Sequence, residues 1–172
     1  MKTALRMAAL AAALAVLTGC QGYSYRFAMP PGAENVKTVA IHIFKNRTLY
    51  TDVEFEFTAA LQREICAKTP LTIASRGTAG SVITGSVDVY ERVVLREFET
   101  DDVARYSIVL TVSYEFRRLP AEGEPEKLIS SAKGLRRSAE YEVRSSITEA
   151  DARAEAVRKI ARDVVSHMLE KW

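Results

Sequence analysis

The sequence predicts an α+β fold in which two helices pack on one face of a mostly antiparallel sheet of four to five strands, in the chain order β-α-β-β-β-α. Two observations carry this. Between Tyr106 and Arg117 the residues alternate without a break. Tyr106, Ile108, Leu110, Val112, Tyr114 and Phe116 fall on one face, and Ser107, Val109, Thr111, Ser113, Glu115 and Arg117 on the other. A long strand with one apolar and one largely polar face belongs to an antiparallel sheet covered on a single side. The second observation is a pair of segments with apolar residues at helical spacing, one before Pro70 and one close to the end of the chain.

The chain opens with Lys2 and Arg6, an apolar run from Met7 to Leu17, and the small-residue stretch Leu17-Thr18-Gly19-Cys20. A membrane-spanning helix needs about 20 apolar residues, and this run is too short and stops at a glycine-containing site. It reads as a signal peptide, residues 1–19, cleaved before a cysteine that takes the lipid. Several acyl chains, each contributing about 0.8 kcal/mol per buried methylene, would make a stable anchor. Position 21 is glutamine rather than the aspartate that retains lipoproteins at the inner membrane, which favours the outer membrane. Residues 20–35, through Ala28-Met29-Pro30-Pro31-Gly32, read as a tether, and residues 36–172 as a single domain with its own core. Loss of residues 1–19 removes Lys2 and Arg6 and no acid, so the formal charge falls from +2 to zero. A neutral domain is not a general polyanion binder, and nucleic acid is not expected as a partner. Cys66 would then be the one cysteine beside the lipidated one, expected as a buried, inert thiol.

Within the domain, Val36 to Phe44 is a short apolar, β-branched run that predicts the first strand, broken by Lys45-Asn46-Arg47-Thr48. Thr51-Asp52-Val53-Glu54 has the form of a capping box. The helix it opens runs to about Lys68, with Val53, Phe57, Ala60, Leu61 and Ile65 facing the core and Phe55 and Cys66 facing away. Leu71 to Ala74 reads as a short edge strand. Two long strands follow, Val82 to about Arg96 and Val103 to about Leu119, and a third from about Lys127 to Ser138 returns alongside. The last helix, capped by Ser146 or Thr148, turns Val157, Ile160, Ala161, Val164 and Met168 inward and Arg153, Lys159 and Arg162 outward. Fifteen strand residues span about 50 Å and a helix of 17 residues roughly 25 Å, so the central hairpin should overhang the helices.

Catalytic chemistry finds no footing. His42 and His167 lack metal-ligand spacing with each other or with a cysteine. The sequence contains no Gly-x-Ser-x-Gly, no phosphate-cradling glycine loop and no His-Glu-x-x-His. No catalytic residue, resident metal or cofactor is therefore expected. Glu97, Glu99, Asp101 and Asp102 gather at the predicted hairpin turn, where such a cluster reads as a solvated loop or a weak divalent-cation site.

Gly22-Tyr23-x-x-Arg26 after the lipidated cysteine, and Val39-Ala40-Ile41-x-x-Phe44-x-Asn46-Arg47-Thr48 at the end of the first strand, resemble the outer-membrane lipopolysaccharide-assembly lipoprotein family LptE, over nearly the whole mature chain. The resemblance implies a two-helix, one-sheet sandwich. It also implies a partner, the large β-barrel translocon LptD that such proteins plug or support, and a cargo, lipopolysaccharide. Basic residues in that family contact the lipid's phosphates. Ser131-Ala132-Lys133 looks like the strand carrying one of them, and Arg96 holds a comparable place on the hairpin. A different class of outer-membrane lipoproteins, which regulate peptidoglycan synthases or form secretion assemblies, also begins with a strand ending in a Phe-x-Asn-x-Thr-like turn. It remains the alternative, with a small-ligand-binding envelope lipoprotein as the third reading.

The lipopolysaccharide-contact candidates are thus Arg96, Lys133 and Arg92, with Arg92 and Arg96 on one face by strand alternation. A guanidinium can clamp a phosphate with paired hydrogen bonds, while arginines on an exposed sheet also serve as solvated, edge-protecting groups. The partner-contact candidates are Phe55, Thr111 and Ser113, on the outward helix face and the open sheet face, surfaces suited to a polar barrel lumen.

Overall fold

The structure is a computed structural model and describes residues 29–33, 35–96, 105–120, 125–142 and 146–170. The lipobox with Cys20, the Gly22-Tyr23-x-x-Arg26 motif and the acidic hairpin turn lie outside the described residues. The elements are β1 (Thr38–Ile41), β2 (Lys45–Asn46), α1 (Val53–Lys68), β3 (Thr72–Ile73), β4 (Ser81–Arg96), β5 (Arg105–Arg118), β6 (Lys127–Glu142) and α2 (Glu149–Leu169). One sheet runs β3-β1-β4-β5-β6, with β2 also paired to β4. The three long strands are antiparallel, and the three short ones join in parallel. The α+β class and the two helices on one sheet face stand as the sequence predicts. The sheet has six strands because the first predicted strand is split and the Leu71–Ala74 stretch does pair.

The split has a packing cause. At the end of β1 the chain leaves the ladder so that Phe44 can enter the core, where its ring meets Phe57 edge-on at 4.8 Å. The Phe44 amide is satisfied by the Thr58 hydroxyl at 3.2 Å. The space for the ring exists because residue 85 is a glycine: a Cβ there would collide with the Phe44 ring and the Ser113 carbonyl. Pairing with β4 then resumes at Lys45 and Asn46.

Helix α1 buries Val53, Phe57, Ala60, Leu61 and Ile65 as its spacing requires, joined by Thr58. Each large apolar side chain removed from water in this way contributes about 1.5–3 kcal/mol. The expected capping box does not form. Asp52 occupies the cap with φ 70° and makes no side-chain cap bond. Glu54 instead accepts a hydrogen bond from the Asn46 amide at 2.8 Å. Cys66, one position beyond Ile65 and off the apolar stripe, is exposed rather than buried.

Helix α2 has a true capping box at Thr148 and Asp151. The bonds from the Thr148 hydroxyl and amide hold the Asp151 carboxyl below its usual range. All five residues expected inward are buried, and Ala152, Ala156 and Val165 join them. Arg153 corrects the outward assignment. It lies in the seam between the helices, paired with Glu56 at 3.1 Å, bonded to the Tyr50 hydroxyl and placed over the Tyr50 ring. Tyr50 in turn stacks on Tyr90, whose hydroxyl is pushed up to about 12, by burial first.

The hairpin turn, and with it the expected overhang, lies outside the described residues. Arg92 meets Glu149, the first residue of α2, at 3.3 Å. Beyond that point Val93, Val94 and Leu95 are exposed. The sheet's second face is less open than alternation suggests: Ser107 and Val109 are buried, since β5 is flanked along its length by β4 and β6, whose side chains shield it.

Candidate functional site

The most organised polar surface is a row that crosses the helix-free face of the sheet. Lys45 of β2 pairs with Ser86 of β4, and Ser86 pairs with Ser113 of β5. Ser113 in turn sits opposite a bulge of β6, because pairing jumps from Val112↔Leu135 to Tyr114↔Ala132. The bulge holds Lys133 and Gly134. Gly134 has φ 70°, a left-handed conformation that glycine adopts at no steric cost. Its amide donates to the Ser113 hydroxyl at 3.1 Å.

A second bulge, between Val87 and Val89, sets Asp88 beside this row. The Asp88 carboxylate accepts from Ser86 at 2.6 Å, from Ser113 at 2.5 Å and from Arg47 at 3.2 Å. Asp88 therefore fixes both serine hydroxyls and one guanidinium. Along the row lies a groove of about 450 Å³ lined by Lys45, Arg47, Thr84, Ser86, Ser131 and Lys133, among others. Glu115, also in the lining, is neutralised by Arg117 at 2.8 Å. Lys45 and Lys133 form no ion pair among the described residues, so two ammonium groups flank a bank of hydroxyls. That combination suits a phosphorylated sugar: the cations meet phosphate, and the hydroxyls meet sugar hydroxyls.

The Phe44-x-Asn46-Arg47-Thr48 motif builds one wall of this groove. Phe44 plugs the core beneath Gly85. The Asn46 side chain donates to the Tyr50 carbonyl at 2.7 Å and accepts from the Thr48 amide and hydroxyl, both at 2.8 Å. This closes the loop and leaves Arg47 directed at Asp88.

Of the residues singled out from the sequence, the structure brings together Ser113 and Lys133. Thr111 lies on the same face, two residues along β5 and paired with Arg136. Phe55 is 51% exposed on α1 and is not part of the groove. Arg92 is elsewhere: it pairs in register with Ile108, is bound to Glu149 and lies 5.2 Å from the centre of the Tyr106 ring. The Tyr141 hydroxyl donates to the same Glu149 carboxylate at 2.9 Å. Arg96 pairs with Arg105 after a one-residue shift in register between Val94 and Arg96. Sequence reasoning missed Lys45, Arg47, Ser86 and Asp88. The signal for Arg47 was the motif loop, and for Asp88 an acid set between two valines of a strand, but the pairing that brings them together leaves no mark on either segment alone.

The family model described as LptE, lipopolysaccharide-assembly, matches residues 36–171. No curated protein matches the chain. Among solved structures, a single-substitution variant of the PelC dodecamer from Paraburkholderia phytofirmans is similar with a TM-score of 0.51 at 15% identity, over 84% of this chain and 98% of that one. The hypothetical protein CT253 from Chlamydia trachomatis is similar with a TM-score of 0.50 at 12% identity, over 77% of this chain and 98% of that one. At these identities the likeness is one of fold. The rare lipoprotein B from Shewanella oneidensis matches with a TM-score of 0.41 at 14% identity, over 77% of this chain and 91% of that one.

Proposed function

The chain belongs to the LptE lipopolysaccharide-assembly family, and on that footing we propose that it is a non-enzymatic lipoprotein held at the outer membrane through Cys20, where it supports or plugs an LptD-type β-barrel and contacts lipopolysaccharide. The observation that carries the reading is the Lys45–Ser86–Ser113–Lys133 row with Asp88 beside it. A sheet face that carries fixed hydroxyls and ammonium groups with no ion pair among the described residues, and no described helix above it, is suited to a phosphorylated glycolipid and to a polar barrel lumen. Lys133 is the principal phosphate contact. Arg96, near the hairpin tip, is the second. Arg92 acts chiefly through Glu149 and steadies the junction of hairpin and helix, so its share in lipid contact is the smallest.

The combined change Arg96→Asp and Lys133→Asp is expected to lower lipopolysaccharide binding about tenfold or more, as loss of charge-assisted contacts to phosphate would, and to weaken the outer-membrane barrier. Lys133 is exposed at a bulge, so circular dichroism should show an intact fold. A folded double variant that binds lipopolysaccharide as the wild type does would remove the lipid-contact assignment.

A further inference from the structure

We infer that the groove between the outer edge of β6 and α2 is a second anion site, built for the phosphate of a lipid headgroup. It encloses about 590 Å³ and is lined by Arg136, Arg137 and Ser138 of β6 and by Lys159, Arg162 and Asp163 of α2. It shares no lining residue with the groove on the helix-free face. Four cations face one carboxylate, and they fall into two kinds. Arg137 is held: its Nε is 2.5 Å from Asp163 and its Nη1 donates to the Arg136 carbonyl at 3.0 Å. Lys159 is held too, donating to the Ser138 carbonyl at 3.3 Å and paired with Glu155 at 2.9 Å. Arg136 and Arg162 are exposed and make no ion pair among the described residues.

The held pair staples the edge of β6 to the helix, and Arg136 and Arg162, which make no ion pair among the described residues, add charge to the lining. Arginine outnumbers lysine three to one, and its planar fork matches the oxygens of a phosphate two at a time. The volume fits one headgroup. The phosphate can come from a bilayer phospholipid or from lipopolysaccharide, and these are told apart by experiment.

The test uses the full chain with Arg136→Glu and Arg162→Glu together. Binding is measured to vesicles of phosphatidylglycerol in phosphatidylcholine and, separately, to purified lipopolysaccharide. A control carries the same charge change at Arg63 and Arg76, both exposed and remote from the groove in sequence. The expected result is a loss of about tenfold for the groove variant on at least one arm, against about twofold or less for the control. Loss on the vesicle arm, with Lys133→Asp unaffected there, assigns a bilayer phospholipid. Loss confined to the lipopolysaccharide arm assigns that lipid's phosphate, at a site additional to Lys133. Binding unchanged on both arms, or an equal loss in the control, overturns the site. The neutral pair Arg136→Gln and Arg162→Gln repeats the test if charge reversal disturbs folding. Because Lys133 is untouched in these variants, their failure is distinguishable from failure of the helix-free-face reading.

Discussion

Gly85→Val is expected to cost the domain about 3 kcal/mol or more, enough to empty much of a stability that is typically about 5–15 kcal/mol. A side chain at this position would meet the Phe44 ring on one side and the Ser113 carbonyl on the other. The second is backbone of the central strand and cannot swing aside. Relief would require either expelling Phe44, which is 2% exposed, or separating β4 from β5. Both would also dismantle the polar row, since Ser86 and Ser113 flank the same place in the ladder. The comparison is Gly77→Ala, where nothing lies within 4 Å of the added carbon and the change should fall within about 0.5 kcal/mol. Thermal unfolding by circular dichroism measures both. A Gly85→Val protein that melts with the wild type would show that the Phe44 plug does not organise this half of the sheet.

The second large effect concerns the anchor. Cys20→Ala is expected to abolish acylation and convert a membrane-bound protein into uncleaved precursor or soluble periplasmic protein, because no other cysteine stands at a cleavage site. Cell fractionation and mass spectrometry of the N-terminal peptide read the outcome directly. The difference should be nearly complete, since two or more acyl chains give stable anchoring where one gives only marginal binding. An unmodified Cys20 in membrane-bound wild type would remove the lipoprotein assignment.

The class of fold was legible because it depends on periods. The alternation of β5 and the stripes of the two helices survive any local irregularity, and the buried sets of α1 and α2 follow them closely. What failed to read depends on single residues. Thr51-Asp52-Val53-Glu54 has the letters of a capping box, but the cap falls on Asp52 in a left-handed conformation, and Glu54 turns to Asn46 instead. Arg153 looks like a solvent residue by spacing, yet Glu56 and the Tyr50 ring draw it into the seam. The same holds for the site. Ser86 and Asp88, two residues apart in β4, share a face by plain alternation, but the register that sets Ser113 opposite Ser86 and the bulge that brings Gly134 to Ser113 are properties of the pairing and not of any one strand. Ser113 and Lys133 were found because one follows from the regular stretch of β5 and the other from the family motif.

The helix-free sheet face is proposed above as a partner surface. A photo-crosslinking residue at Thr111, tried also at Ser113 and on α1 at Phe55, tests it in cells. Thr111 is the cleanest position, since Ser113 already holds Asp88 and Gly134. Irradiation is expected to trap a large outer-membrane β-barrel of the LptD type at the sheet positions. Crosslinks to a peptidoglycan synthase, or no crosslink at all three positions with the protein expressed and folded, would contradict it.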